Sequence, residues 1–164
     1  MSNVIKKQSP ATYIAFSVAA AATAAAAAAS SLVFALPVWA MFVGWVAFFT
    51  RGMTTRDGAI NLACVWIGAA MGIGAAVGIG ILKPTLGMMA LPAVVFVVAT
   101  VVVSLRAAPV FNNILAYFLG LIAFFAAHME PSLDTLVHLG SASALGSVSG
   151  WVSMKLQQSL PRFA

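Results

Sequence analysis

The sequence predicts an all-α integral membrane protein of about six transmembrane helices, whose two halves carry the pattern of a 3+3 inverted-topology repeat. Three observations predict it. Apolar residues fill 63% of the 164 positions and charged residues 7%, whereas a soluble domain needs about a quarter of its residues charged to cover its surface. Apolar runs of helical length alternate with short polar or proline-containing turns. The basic residues fall at the ends of those runs and not within them. One membrane domain, 1–164, accounts for the whole chain, and the leftover loops are too short for a soluble catalytic or nucleic-acid-binding module.

Helix 1 is expected over residues 12–34, ended by Ala35, Leu36 and Pro37. Lys6 and Lys7 ahead of it resemble a signal peptide, but the apolar run is longer than a usual signal core and reads as a retained first span. Its centre is alanine broken only by Thr23, which permits close helix approach and places it inside the bundle. Helix 2 starts at Pro37, a good first-turn residue, and stops near Thr50. Its roughly 14 residues reach only about 21 Å, short of a hydrocarbon core of about 30 Å. Residues 51–58 form a polar loop. Helix 3 runs over 59–82 and is ended by Lys83 and Pro84. Helix 4 covers 88–105, is valine-rich and is the best lipid-facing candidate; Arg106 and Pro109 close it. Helix 5 spans 110–127, Glu130, Pro131 and Ser132 make the next turn, and helix 6 covers 135–154.

Charge sets the orientation. With six spans, Lys6, Lys7, Arg51, Arg56, Arg106, Lys155 and Arg162 fall on one side and Lys83 alone on the other. The positive-inside rule then puts both tails, 1–11 and 157–164, in the cytoplasm of a multi-pass protein of a bacterial inner (plasma) membrane. Merging helices 1 and 2 into one span would destroy this pattern. Eight scattered basic residues do not form a nucleic-acid-binding patch. The single cysteine, Cys64, lies in an apolar run and excludes an internal disulfide.

The repeat rests on two echoes. Residues 40–49 and 116–125 share A-x-F-x-G-x-x-A-F-F, with six of ten positions identical, on the middle helix of each half. Gly68, Gly74 and Gly78 have the spacing of Gly140, Gly146 and Gly150. Three helices per unit is an odd number, so repeats 12–82 and 88–156 would enter from opposite faces, an arrangement common among channels and secondary transporters.

Candidate functional residues follow from what a membrane interior tolerates. Gly68 and Gly72, Gly74 and Gly78, and Gly146 and Gly150 are G-x-x-x-G pairs that let helices approach closely. Their partners are other helices of this chain or those of a second subunit in a homo-oligomer. Trp39, Phe42, Trp45 and Phe49 crowd helix 2, with Phe118 and Phe125 at matching positions of helix 5. They read either as interhelical packing and interfacial belt or as an aromatic constriction on a solute path. Asn61, Asn112, Asn113 and Tyr117 each need a polar partner in hydrocarbon. They read as caps and interhelical bonds or as the lining of a path for a small polar solute. His128, Glu130, Asp134 and His138 cluster near the outer turn, but their spacing matches no strong metal motif, and Asp134 complements the positive end of helix 6. No metal and no cofactor is expected. No nucleophile–base pair or deep carboxylate points to an enzyme, and no charge lies mid-span, as a proton-coupled pump would need.

The stretch Leu36-Pro37-Val38-Trp39-Ala40-Met41-Phe42-Val43-Gly44-Trp45-Val46-Ala47-Phe48-Phe49, with the glycine-rich third helix, resembles a family of small bacterial inner-membrane proteins classed as a domain of unknown function, number ten-ninety-seven. The resemblance runs from helix 1 onward and implies an inner-membrane location and a fold of roughly six spans. It carries no substrate and no catalytic residue. The leading expectation is a passive channel or facilitator for a small polar solute or ion, assembled as a homo-oligomer in the lipid bilayer. The alternative is a non-transporting accessory or assembly subunit that binds another membrane protein.

Overall fold

The structure, a computed structural model, describes residues 9–160. Lys6, Lys7 and Arg162 lie outside them. The described residues form six α-helices: α1 (Pro10–Val33), α2 (Val38–Phe48), α3 (Thr55–Leu86), α4 (Ala90–Ser104), α5 (Ile114–Ala127) and α6 (Leu133–Ser159). One-turn 3-10 segments follow α3 and α4, at Gly87–Met89 and Leu105–Ala107. Two helical segments, Pro10–Val33 and Thr55–Ala107, are long and apolar enough to cross a membrane, while α2 and α5 are shorter apolar helices.

Local chemistry explains the boundaries. Ser9, Thr54, Asn113 and Ser132 cap α1, α3, α5 and α6, each accepting from a backbone N–H three residues on. α1 ends in a Schellman motif: Leu36 N–H donates to Ser31 O at 2.8 Å and Ala35 N–H to Leu32 O at 3.2 Å. Ala35 therefore sits at φ 52°, where glycine is usual. Pro84 does not end the third helix as expected. α3 continues two residues past it to Leu86 and stops where Gly87 turns to φ 53°. A proline near a helix end forfeits only one backbone bond, so termination falls to the glycine beyond it. α5 starts at Ile114, four residues later than expected, because Asn113 takes the capping role.

The core is four helices in two crossed pairs. α3 packs most extensively on α5, and α2 on α6; α1 lies against α6 and α4 against α3. α1 is peripheral, not interior as its alanine content suggested. It buries only a stripe of Thr12, Ala19, Ala27 and Ser31, and Ser149 Oγ donates to Thr23 O at 2.9 Å across the contact. Alanine permits close approach but offers little area to drive burial on every side. α4 buries only Ala90, Val94 and Val102, packs Val98 partly against the core, and presents Val95, Phe96, Val97, Val101 and Val103 outward. Large apolar side chains are exposed around the whole bundle, among them Leu32, Val33, Ile81, Val95, Phe96 and Ile122.

Candidate functional site

Close crossing is set by glycine. A Cβ on Gly44 of α2 would run into the backbone carbonyl of Ser143 in α6, and one on Gly146 of α6 would run into the carbonyl of Met41 in α2. On the other pair, a Cβ on Gly68 of α3 would strike the carbonyl of Tyr117, and one on Gly120 of α5 the carbonyl of Val65. One turn further along, a Cβ on Gly72 would come within 2.9 Å of Phe124 and one on Gly150 within 3.0 Å of Phe48. Phe48 and Phe124 are 1% and 3% exposed, the most deeply set phenylalanines of their helices. Of the expected packing glycines, Gly68, Gly72, Gly146 and Gly150 are thus used inside the chain. Gly74 is not a packing position here, since a Cβ there would meet nothing within 4 Å, and Gly78 touches only the Val94 side chain.

The polar candidates gather at one end of the bundle, where α2 ends and α3 and α5 begin. Asn61 is fully buried, and its Nδ2 donates to Arg51 O at 3.0 Å and Phe48 O at 3.4 Å. It thereby covers the last carbonyl of α2, that of Phe48, and adds a second donor to the Arg51 carbonyl, which also accepts from Met53 N–H at 3.0 Å. Asn113 Nδ2 donates to Asn61 Oδ1 at 2.8 Å and to Thr50 Oγ1 at 2.7 Å, while its Oδ1 accepts from Ala116 N–H. Asn113 is therefore both a cap and an interhelical bond. Arg51 donates through Nη1 to Asn112 Oδ1 and through Nη2 to Val110 O at 3.3 Å. Tyr117 is buried and donates to Phe111 O at 3.2 Å. Thr50 and Arg51, read from sequence as the end of helix 2 and a topology marker in the loop after it, complete this cluster. Nothing in their local sequence signals it, because their partners lie some 60 residues away along the chain.

The aromatic candidates do not converge. Trp45 stacks at a tilt on Phe49, with centroids 4.9 Å apart, and Phe49 meets Phe48 edge-on at 5.1 Å. Phe125 contacts Phe124 at 5.3 Å and is 44% exposed. Trp39 and Phe42 also face outward, and Phe118 packs on the apolar core. Among the described residues the ring contacts make a Trp45–Phe49–Phe48 cluster on α2 and a separate Phe124–Phe125 pair on α5.

Two further tryptophans that the sequence reading passed over tie helices together. Trp66 Nε1 donates to Gly140 O and Ser143 Oγ, both at 3.2 Å, and Trp151 Nε1 donates to Thr55 Oγ1 at 2.9 Å. The larger surface cavities open sideways between helices and are apolar. One of about 470 Å³ is lined by Trp45, Val46, Phe49, Thr50, Leu115 and Gln157, one of about 440 Å³ lies between α3 and α4, with Gly74 and Gly78 in its wall, and one of about 370 Å³ lies beside Trp66. Among the described residues no three His, Cys, Asp or Glu side chains come close enough to hold a metal. Asp134 stands in the first turn of α6, where it meets the positive helix end.

A family model described as a protein of unknown function (DUF1097) matches residues 15–158. No curated protein and no solved structure matches the chain.

Proposed function

Because this chain belongs to the DUF1097 family, described only as proteins of unknown function, we propose its function from its own geometry: a six-span membrane protein that acts through its lateral faces as a non-transporting subunit, binding lipid or other membrane proteins. The observation that carries this reading is the crossing of α2 on α6 and α3 on α5 at backbone contact. It closes the middle of the bundle, while the cavities and the large apolar side chains look outward. A surface so apolar suits lipid or a membrane partner and not water. The proposal puts both termini in the cytoplasm of a bacterial-type inner membrane. Support comes from the basic residues Arg51, Arg56, Arg106 and Lys155, which share one end, against Lys83 at the other.

The same reading includes an inverted repeat of 12–82 and 88–156. The identical middle helices align Met41 with Tyr117, Gly44 with Gly120 and Phe48 with Phe124. The carbonyls that Gly146 and Gly68 approach belong to Met41 and Tyr117, and the rings that Gly150 and Gly72 meet are Phe48 and Phe124. These reciprocal contacts support a twofold relation in which Gly68 corresponds to Gly146, and Gly72 to Gly150. The spacing echo that pairs Gly68 with Gly140 is then out of register.

A passive path for a small polar solute is the second reading. The repeat favours it, since inverted repeats are common in channels and transporters, although that step is analogy from fold. Proteoliposome flux across a panel of small solutes and ions separates the two. No selective flux, with a stoichiometric membrane partner recovered in mild detergent, fits the subunit reading; selective flux overturns it. In the latter case F49A and F125A should raise leak if those rings gate it.

A further inference from the structure

The first turns of α3 and the last turns of α6 enclose an open slot of about 380 Å³, walled by Thr55, Gly58, Ala59, Leu62, Val148 and Trp151. Its floor is apolar and its depth comes from Gly58, where a side chain would collide with Phe48. The mouth lies at the basic end of the bundle. There the Trp151 indole is fixed by its bond to Thr55 Oγ1, the placement typical of a tryptophan at headgroup level. Arg56 is three residues before Ala59 and Lys155 four residues after Trp151, so each cation shares the face of its helix that lines the slot. Both are exposed. Asp57, the acid next to Arg56 in sequence, is held by Thr54 Oγ1 at 2.6 Å.

We propose that this slot binds one anionic phospholipid, an acyl chain lying along Ala59, Leu62 and Val148 and the headgroup phosphate between Arg56 and Lys155. Charge complementarity selects the occupant. A second apolar helix would fill the slot but leave both cations without a counter-charge, and the phosphate of a zwitterionic lipid is offset by that lipid's own ammonium, whereas an anionic lipid brings the uncompensated negative charge that basic side chains beside a membrane surface attract. The site rests on the membrane-spanning reading above and adds a lipid class to it.

The test is thermal unfolding of the purified full chain in mild detergent with added phosphatidylglycerol or phosphatidylcholine, paired with native mass spectrometry of retained lipid. A ligand that binds only the folded state raises Tm. Phosphatidylglycerol should raise it and remain bound, and phosphatidylcholine should do neither. The preference should vanish in the R56Q/K155Q double variant and in V148F, which plugs the slot, and persist in R106Q, a cation of the same end outside the slot. Equal effects of the two lipids, an equal loss in R106Q, or the same rise from water-soluble glycerol phosphate would each overturn the assignment. A chain that stays folded and monodisperse without detergent would sink the membrane reading itself. Detergent dependence without lipid preference would sink only the lipid site.

Discussion

Asn113 Nδ2 donates to Asn61 Oδ1 at 2.8 Å, joining the start of α5 to the first turns of α3 inside a bundle whose other core contacts are largely apolar. Through Thr50, Arg51 and Asn112 the bond extends into a network that fastens the end of α2 to both helices. At the opposite end, around His128 and Ser132, the side-chain bonds are local to the turn. One end of the molecule is pinned between helices by polar contacts, and the other is held mainly by packing.

This pair makes the first prediction. N113A leaves the Asn61 amide oxygen buried without a donor and should lower stability by about 1–3 kcal/mol. N61A exposes the same fault from the other side, together with the last α2 carbonyl. The double variant should be less damaging than the two single changes added, a coupling readable from unfolding in detergent. Additive losses would mean that the two asparagines act separately.

Glycines of similar sequence context should behave in opposite ways. G146A and G68A force a methyl group into a facing backbone carbonyl, and overpacking of this kind costs about 1–3 kcal/mol or more. G74A adds its methyl to open space, so it should be neutral or stabilising by up to about 1 kcal/mol, as helical glycine-to-alanine changes are. Fluorescence-detected size exclusion after a heat step ranks the three. Loss of fold in G74A would instead indicate that a second subunit sits on that face.

Topology is open to labelling. In a C64S background, cysteines introduced at Met53 and Ser159 should react with a membrane-impermeant reagent from the cytoplasmic side only. Cysteines at Leu86 and Met129 should react from the other side only. The decisive position is Ala35, between α1 and α2. If a cysteine there labels from the same side as Met53, then α2, with its 11 residues, does not cross the bilayer.

Ala35 also carries backbone strain. An L-residue in the left-handed region costs about 1–2 kcal/mol relative to glycine, and Ala35 holds that conformation at the Schellman position of α1. A35G should therefore raise Tm, whereas A35V should lower it. If A35G has no effect, the turn relaxes in the bilayer.

Sequence alone determined that the chain is helical and roughly where its helices follow one another, because apolar runs, proline and capping residues act over a few positions and leave a local trace. Ser9, Thr54, Asn113 and Ser132 each stand where a cap is needed, and the shared middle-helix pattern is legible as identity. Only the tertiary structure decided which helices meet. Gly44 and Gly146 are chemically like Gly74, yet the first two lie in a crossing and the third in open space, since a glycine records permission to approach and not the partner. The aromatic residues show the same limit: Phe48 and Phe49 are neighbours in sequence, and a 100° step around the helix puts one in the core and the other at its edge. The polar cluster needed the fold most of all, for Arg51 finds Val110 and Asn112, and Asn61 finds Asn113, only after three helix ends have come together.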